Sequence, residues 1–216
     1  MSDSSNAVTQ LITDLQGDDD FTRARAAFAL GLMGDQAVEP LIQMLGHDDQ
    51  SVRMRSAWAL GIIGQPALDR LLELAESSNA RLRIEAIRVL GVIGEGRAVN
   101  PLIHALTDTD PRMAQRAAVA LGKIGDPQAF HPLLTALRHP SPDVRYAVCG
   151  ALANLEVIAA IEPLEELART DHSITSWGAP VAPAARMAAQ ALAAPRHHTL
   201  DERPVPLAET VSIQNA

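Results

Sequence analysis

The chain has 216 residues, of which 47% are hydrophobic and 20% are charged, so a chain that is disordered throughout is excluded. Aromatic residues make up only 3%, so the core must consist of alanine, leucine, isoleucine and valine, which favours packed helices over a sheet. The net charge of −8 argues against a general nucleic-acid binder, which would need many cations facing phosphates.

No apolar run approaches the length of a membrane-spanning helix, and residues 1–7 are polar. We therefore expect a cytoplasmic protein with neither a membrane segment nor a secretory signal. Cys149 is the single cysteine, so an internal disulfide and a zinc site built from a cysteine cluster are both excluded.

Taken in chain order, residues 1–18 contain a helical pattern at 6–16 that predicts an N-terminal capping helix. One motif then follows in five copies, the last of them degraded: RAAFALGLMG from residue 25, RSAWALGIIG from 55, EAIRVLGVIG from 85, RAAVALGKIG from 116 and AVCGALANLE from 147. Each copy has one anchor residue, and the anchors are spaced by 30, 30, 31 and 31 residues: Gly31, Gly61, Gly91, Gly122 and Ala153. A period this regular indicates a tandem repeat array over residues 19–170.

Each copy of the motif lies in the first of two predicted helices. Twelve residues before each anchor is a side chain that can cap a helix N-terminus: Asp19, Asp49, Asn79, Asp110 and Ser141. The first helix is expected to end at a left-handed glycine, at Gly34, Gly64, Gly94 and Gly125. A second helix follows, for example at residues 37–45, 98–106 and 129–137. Such a hairpin cannot bury its own apolar face, so we predict an all-α solenoid of about five to six stacked repeats with capping helices.

Residues 171–194 are predicted to form an inserted loop and a terminal capping helix. The segment AARMAAQALA at 184–193 matches the first helix of the repeat, but its anchor, Ala193, lies 40 residues after Ala153. About nine residues are therefore inserted relative to the repeat period, and we place them at 171–180. Residues 195–216 contain Pro204 and Pro206 and no helical pattern, which predicts a flexible tail.

The repeat strongly resembles the short HEAT-like repeats named after phycobilisome lyases. The resemblance is carried by SVRMRSAWALGIIG at 51–64 and PRMAQRAAVALGKIGDPQAFHPLLTAL at 111–137. It implies that the variable face of the first helices lines the concave side of the solenoid. It also implies one possible function, that of a phycobilin lyase or a bilin-handling chaperone subunit. A HEAT-like hydroxylase with a di-iron centre would need repeated His-Glu pairs, which this sequence lacks.

The face of the first helices opposite the core varies between repeats, and we expect it to form a groove of roughly 40–50 Å. The residues predicted to bind a partner there are Arg25, Phe28, Leu32, Met54, Arg55, Trp58, Ile62, Arg88, Arg116, Lys123 and Tyr146. Phe28 and Trp58 are expected to be neighbours in an apolar contact site. Alternatively, they pack against a flanking helix or the N-terminal cap. Six cations, Arg186 among them, are predicted to lie on this face, where Glu85 is the one predicted carboxylate. The local charge is then +5, which leaves a charge of −13 for the rest of the chain. This local excess of positive charge favours an acidic partner.

Two further sets of residues have structural interpretations. Arginines that recur eight residues before the anchors are predicted to bond with the caps or carboxylates of adjacent repeats: Arg23, Arg53, Arg83 and Arg145. Cys149 falls in a column of small residues, so we interpret it as a packing residue rather than a nucleophile.

The sequence contains no Walker loop, no dinucleotide-binding fingerprint and no G-x-S-x-G elbow, and its histidines are scattered without an H-E-x-x-H motif. We therefore expect no catalytic residue, metal or cofactor. The leading hypothesis is a non-catalytic scaffold that binds a protein partner through an acidic, partly apolar segment, without a role for nucleic acid or membrane. The competing hypothesis is the bilin-handling subunit implied by the resemblance, in which the same arginines would meet the propionates of the tetrapyrrole.

Overall fold

The structure, a computed structural model, describes residues 2–194, and the predicted tail at 195–216 lies outside the described residues. Twelve α-helices form within this part of the chain. They are α1 (Ser2–Gln16), α2 (Asp20–Leu32), α3 (Asp35–Met44), α4 (Gln50–Ile63), α5 (Leu68–Ala75), α6 (Ala80–Ile93), α7 (Val99–Ala105), α8 (Pro111–Ile124), α9 (Phe130–Ala136), α10 (Pro142–Leu155), α11 (Ile161–Thr170) and α12 (Val181–Ala193).

The helices from α2 to α11 form five hairpins that stack in chain order. The first helix of each hairpin packs against the first helix of the next, and each second helix also packs against the first helix that follows it. α1 covers α2 and α3 at one end, and α12 packs on α10 and α11 at the other. One continuous hydrophobic core runs from Val8 to Leu192. The predicted all-α solenoid is therefore confirmed.

Neighbouring first helices approach most closely at the anchor glycines. A methyl group added to Gly91 would lie 2.5 Å from Cβ of Ala120, and one added to Gly122 would lie 2.6 Å from Cα of Ala151. Contacts under 3.0 Å are essentially absent for real Cβ atoms, so a side chain at either glycine would force the helices apart. The anchor of the motif is therefore a point of close helix packing.

Consecutive first helices pack directly on one another, whereas consecutive second helices are spaced more widely. A cavity of about 490 Å³ lies between α9 and α11, and another of about 640 Å³ lies beside α5 and α7. A stack of hairpins bends toward the layer in which the spacing is closer. We call the first helices the inner layer, because this spacing is expected to curve the array toward them, as the family resemblance implies.

The change in repeat period from 30 to 31 residues has its origin in the turn between the two helices of a hairpin. In the shorter repeats the turn glycine has a positive φ with an extended ψ, as at Gly64 (φ 71°, ψ −130°). In the longer repeats one more residue separates the glycine from the second helix, and the glycine is left-handed, as at Gly94 (φ 79°, ψ 13°). Both conformations favour glycine, which explains why that residue recurs here.

Four of the five predicted N-caps form the expected hydrogen bond. The side chains of Asp19, Asp49, Asn79 and Asp110 each accept a hydrogen bond from a backbone N–H in the first turn of the following helix. Ser141 is likewise the N-cap residue of α10, but its side chain caps no described N–H group. Pro142 occupies the first position of α10 and has no N–H group to satisfy, so less is lost there.

The recurring arginines join adjacent repeats, as predicted. Their carboxylate partners in the following repeat or loop are Asp49 for Arg23, Glu85 for Arg53, Asp108 for Arg83 and Asp171 for Arg145. Three of these arginines also donate hydrogen bonds to the carbonyl groups five and six residues before them. Each guanidinium therefore links the turn before its own helix to the next repeat.

The predicted register of α12 is wrong. Its buried residues lie 37 residues after their counterparts in α10, as in the pairs Val181 with Val144 and Ala185 with Val148. The anchor position is therefore Gln190 rather than Ala193, and the insertion is three residues shorter than predicted. α12 is rich in alanine, so a shift of almost one helical turn leaves its apolar pattern nearly unchanged.

Candidate functional site

The variable columns of the first helices lie on the open side of the inner layer. We call this surface the concave groove, defined by the predicted residues Arg25, Phe28, Leu32, Met54, Arg55, Trp58, Ile62, Arg88, Arg116, Lys123 and Tyr146. All of them are exposed or partly exposed, whereas the intervening columns are buried. The helical period therefore identified correctly which face of the first helices stays open.

Phe28 and Trp58 form an aromatic pair at one end of the groove. Their ring centroids lie 6.1 Å apart with an interplanar angle of 27°. Phe28 is 50% exposed and Trp58 is 49% exposed, so neither side chain is covered by a flanking helix or by α1. Leu32, Met54 and Ile62 are exposed beside them, and we call these five residues the apolar patch.

The cations of the groove divide into paired and unpaired groups. Nη2 of Arg55 lies 2.9 Å from the carboxylate of Asp20, and Nη2 of Arg88 lies 2.6 Å from that of Glu85. By contrast, three groove cations form no ion pair with any described residue: Arg25, Arg116 and Lys123.

The predicted local charge of +5 is therefore too high. Asp20, which the sequence analysis did not count, neutralises Arg55. Arg186 lies in a depression between α11 and α12 with Glu165 and Arg169, outside the groove. Its assignment to the groove was wrong because it depended on the incorrect register of α12. The groove keeps an excess of three positive charges within a chain of net charge −8.

The inserted loop at 171–180 adds a residue that the sequence analysis missed. Trp177 folds back over α10 and meets Tyr146 edge to face, with ring centroids 5.7 Å apart and an interplanar angle of 85°. Trp177 is nevertheless 51% exposed. The sequence signal that could have identified Trp177 was the presence of a tryptophan in a polar loop, in a chain with so few aromatic residues.

Two carboxylates hold the loop in place. Both the backbone N–H and the hydroxyl of Ser176 donate hydrogen bonds of 2.7 Å to Asp143, in the first turn of α10. Nε of Arg145 lies 2.7 Å from Asp171, and both side chains are largely buried, at 14% and 9% exposure. Trp177 is thus positioned by a network of hydrogen bonds rather than by its own burial.

The buried ion pair makes the loop sensitive to acid. Partial burial would raise the pKa of Asp171, but hydrogen bonds from Arg145 and Ser173 outweigh it and lower that pKa from 3.8 to about 2. A lowered pKa means that the carboxylate stabilises the folded state fully above its unfolded pKa, and that this stabilisation is lost as the pH falls through the folded value.

We therefore expect the loop to loosen between about pH 4 and pH 2. In the Trp58→Phe variant Trp177 is the sole tryptophan, and its fluorescence anisotropy should fall over this range while the helical circular dichroism changes less. The same variant with Asp171→Asn should have low anisotropy at every pH. Constant anisotropy down to about pH 2, or a fall centred above about pH 5, would contradict this assignment.

A small cavity of about 320 Å³ lies between α8, α10 and the loop. Tyr146 and Trp177 form its aromatic wall, Val119 and Lys123 come from α8, and Gly150 of α10 also lines it. We call it the Trp177 pocket. It opens into the concave groove, because Lys123 and Tyr146 belong to both.

Cys149 packs in the core, as predicted, and is 1% exposed. Burial, together with the nearby charge of Asp171, raises the pKa of its thiol to about 12, so the reactive thiolate is scarcely populated near neutral pH. No group of three or more His, Cys, Asp or Glu side chains within residues 2–194 is arranged to hold a metal ion. In the same part of the chain, no helix combines the length and the apolar character that crossing a bilayer requires.

The comparisons with known proteins agree on the fold. The family model for HEAT repeats matches residues 8–83, 68–137 and 126–179, which together exceed half of the chain. A solved complex of CpcE and CpcF of phycocyanin lyase from Nostoc sp. PCC7120 is similar with a TM-score of 0.63 and 25% identity, over 70% of this chain and 97% of that chain. A designed armadillo repeat protein in complex with the peptide (KR)4 is similar with a TM-score of 0.52 and 20% identity, over 85% and 98% of the two chains. No curated protein sequence matches the chain.

Proposed function

The chain belongs to the HEAT-repeat family, and from that premise we propose that it is a non-catalytic scaffold that binds a partner protein. HEAT and armadillo repeats are folds typical of protein-binding scaffolds. The partner contributes a segment that is acidic and partly apolar, and this segment lies in the concave groove.

The observation that supports this function best is the exposure of the apolar patch. Half-exposed aromatic residues that contact each other on a concave surface are typical of binding hot spots. The surrounding fold does not use them, because the core of the same helices lies on the opposite face. The energy of binding is expected to come mainly from Trp58 and Phe28.

The charge of the partner follows from the unpaired cations. Arg25 lies on the same helix as Phe28. Arg116 and Lys123 lie on α8, which is the second of the first helices after α4, the helix that carries Trp58. Carboxylates of a partner would meet these three groups without displacing an existing ion pair. Such charges contribute more to association rate and selectivity than to affinity, so binding should weaken as salt is raised.

This function can be tested with a displayed library of random peptides of about 12 residues. A peptide of this length in extended conformation matches a groove of roughly 40 Å. Selection on the full chain should enrich sequences that combine acidic residues with an aromatic or branched apolar residue. Trp58→Ala should weaken binding of the enriched peptides roughly tenfold or more. Ile158→Ala removes an exposed apolar side chain from the short turn after α10, outside the groove, and should leave binding unchanged.

Enriched peptides that bind Trp58→Ala as tightly as the original protein would contradict the assignment of the groove. Enrichment of basic sequences, with (KR)4 as a reference peptide, would contradict the proposed charge of the partner.

A second candidate function has support from one comparison. The similarity to the CpcE–CpcF complex of phycocyanin lyase favours a subunit that handles a bilin. In that case Arg25, Arg116 or Lys123 would pair with the propionates and the aromatic residues would stack on the pyrrole rings. Adding phycocyanobilin to the purified protein would then shift the absorbance band of the pigment, and Trp58→Ala would reduce the shift. An unchanged absorbance spectrum would exclude this candidate.

A further inference from the structure

Gly150 is a glycine that the fold does not require. It lies inside α10, where glycine costs about 1 kcal/mol relative to alanine. The anchor glycines justify this cost because a Cβ atom would collide with the next helix, but a Cβ atom at Gly150 would meet nothing within 4 Å. Its φ is also not in the positive range. The missing side chain therefore leaves open space and has no packing role.

The open space at Gly150 continues a pattern in the inner layer. The equivalent positions of the earlier first helices are Phe28, Trp58, Arg88 and Val119, all larger residues. Only at Gly150 does the inserted loop bring an aromatic residue, Trp177, from outside the repeat. A large side chain at position 150 would occupy the space that Trp177 and Tyr146 enclose.

Trp177 is held in place before any ligand arrives. The hydrogen bonds from Ser176 to Asp143 fix the residue next to it, and the contact with Tyr146 fixes the ring. Half of its surface still faces the solvent. An aromatic residue that is rigid and exposed loses little conformational freedom on binding, which is a property of interface anchors.

We propose that the Trp177 pocket accepts one aromatic side chain of an acidic peptide segment, with a neighbouring carboxylate of that segment paired to Lys123. Lys123 lines the pocket and forms no ion pair with a described carboxylate. The amide groups of Gln115 and Asn154 at the rim supply donors for the same carboxylate or for the peptide backbone. A volume of about 320 Å³ suits one large side chain rather than a folded domain.

This inference rests on the proposed function, because it gives the partner a second anchor. Among the first helices, α10 is the third one after α4, which carries Trp58. The pocket and Trp58 are therefore roughly 27 Å apart. A tripeptide spans only about 10 Å in extended form and cannot contact both places at once. A short peptide therefore reports on each place separately.

The test uses the full chain labelled with ¹⁵N and the capped tripeptide Asp-Trp-Asp. The chain has two tryptophans, so its spectrum contains two indole N–H signals, which the Trp58→Phe and Trp177→Phe variants assign. We expect the tripeptide to shift the indole signal of Trp177 in a saturable manner. Gly150→Leu should weaken this response tenfold or more, and the matched variant Gly150→Ala, which adds a single methyl group, should largely keep it. Lys123→Gln should weaken it about threefold, and the capped tripeptide Lys-Trp-Lys should bind less tightly.

The possible outcomes separate the pocket from the apolar patch. A shift of the Trp58 signal alone would overturn the pocket while leaving the proposed function in place, and no shift of either signal would count against both. A Trp177 response that survives Gly150→Leu would overturn the proposal, provided that the circular dichroism of that variant is unchanged. A Trp177 signal that moves with protein concentration but not with the peptide would assign the pocket to a second copy of the chain and overturn the proposal as well.

Discussion

Replacing Asp171 by Asn is expected to lower the free energy of unfolding by about 3 kcal/mol, because the change leaves the buried guanidinium of Arg145 without its counter-charge. Both side chains are largely buried, so water cannot compensate for the loss. Arg145 keeps its hydrogen bonds to the carbonyl groups of His139 and Pro140, which places the effect at the lower end of the range for broken buried pairs. The loop that carries Trp177 should loosen first.

An exposed pair of the same type provides the matched control. Arg97 and Asp69 also join two repeats at an N–O distance of 2.7 Å, but both side chains are more than half exposed. Asp69→Asn should therefore change the free energy of unfolding by about 0.5 kcal/mol or less. Urea unfolding of both variants measures the difference. Equal effects would show that burial does not govern the contribution of the Arg145 pair.

Gly122→Ala is expected to destabilise the solenoid by about 2 kcal/mol, although alanine is the better helix former. The new methyl group would lie 2.6 Å from Cα of Ala151, and this neighbour is backbone that cannot rotate away. α8 and α10 must separate, and overpacking of this kind costs up to about 3 kcal/mol against a gain of about 1 kcal/mol in helix propensity. In thermal unfolding the midpoint should fall by about 4–8 °C.

Gly150→Ala is the control for helix propensity, because the same substitution is made in α10 where the methyl group meets open space. It should raise the free energy of unfolding by about 1 kcal/mol. The opposite signs of the two substitutions separate packing from propensity. A stabilising Gly122→Ala would contradict the close approach of the inner helices.

Much of the fold could be predicted because the repeat displays each requirement five times. The aspartates and asparagine at the helix starts, and the glycines after the first helices, recur for local reasons that a sequence expresses directly. The role of the anchor glycines was less accessible. Gly91 and Gly122 are required by a neighbouring helix that is one full repeat away, and no local pattern reveals that contact.

The end of the array was harder to predict than its middle. α12 has no following repeat against which its register could be checked, and its alanines fit two alignments almost equally well. Because of this error Arg186 was predicted to lie in the groove, whereas the structure places it in a depression between α11 and α12 with Glu165. Burial alone separates these alignments.

The candidate site was predicted only where it coincides with the repeat. Phe28 and Trp58 occupy one column of neighbouring helices, so their proximity follows from the period. Trp177 lies outside the repeat, and its position depends on hydrogen bonds to Asp143 and on the ion pair of Asp171. The sequence predicts that Arg145 bonds with an adjacent repeat, but it carries no signal for the contact between Ser176 and Asp143, which are 33 positions apart.

The proposed function requires that the concave groove is open in the isolated chain and is covered by its partner. Its most direct test is acrylamide quenching of Trp58 in the Trp177→Phe variant, measured with and without an enriched acidic peptide. Acrylamide should quench Trp58 efficiently in the protein alone, and the bound peptide should clearly protect it. Protection of Trp58 before any peptide is added, or quenching that the bound peptide leaves unchanged, would contradict the proposed function.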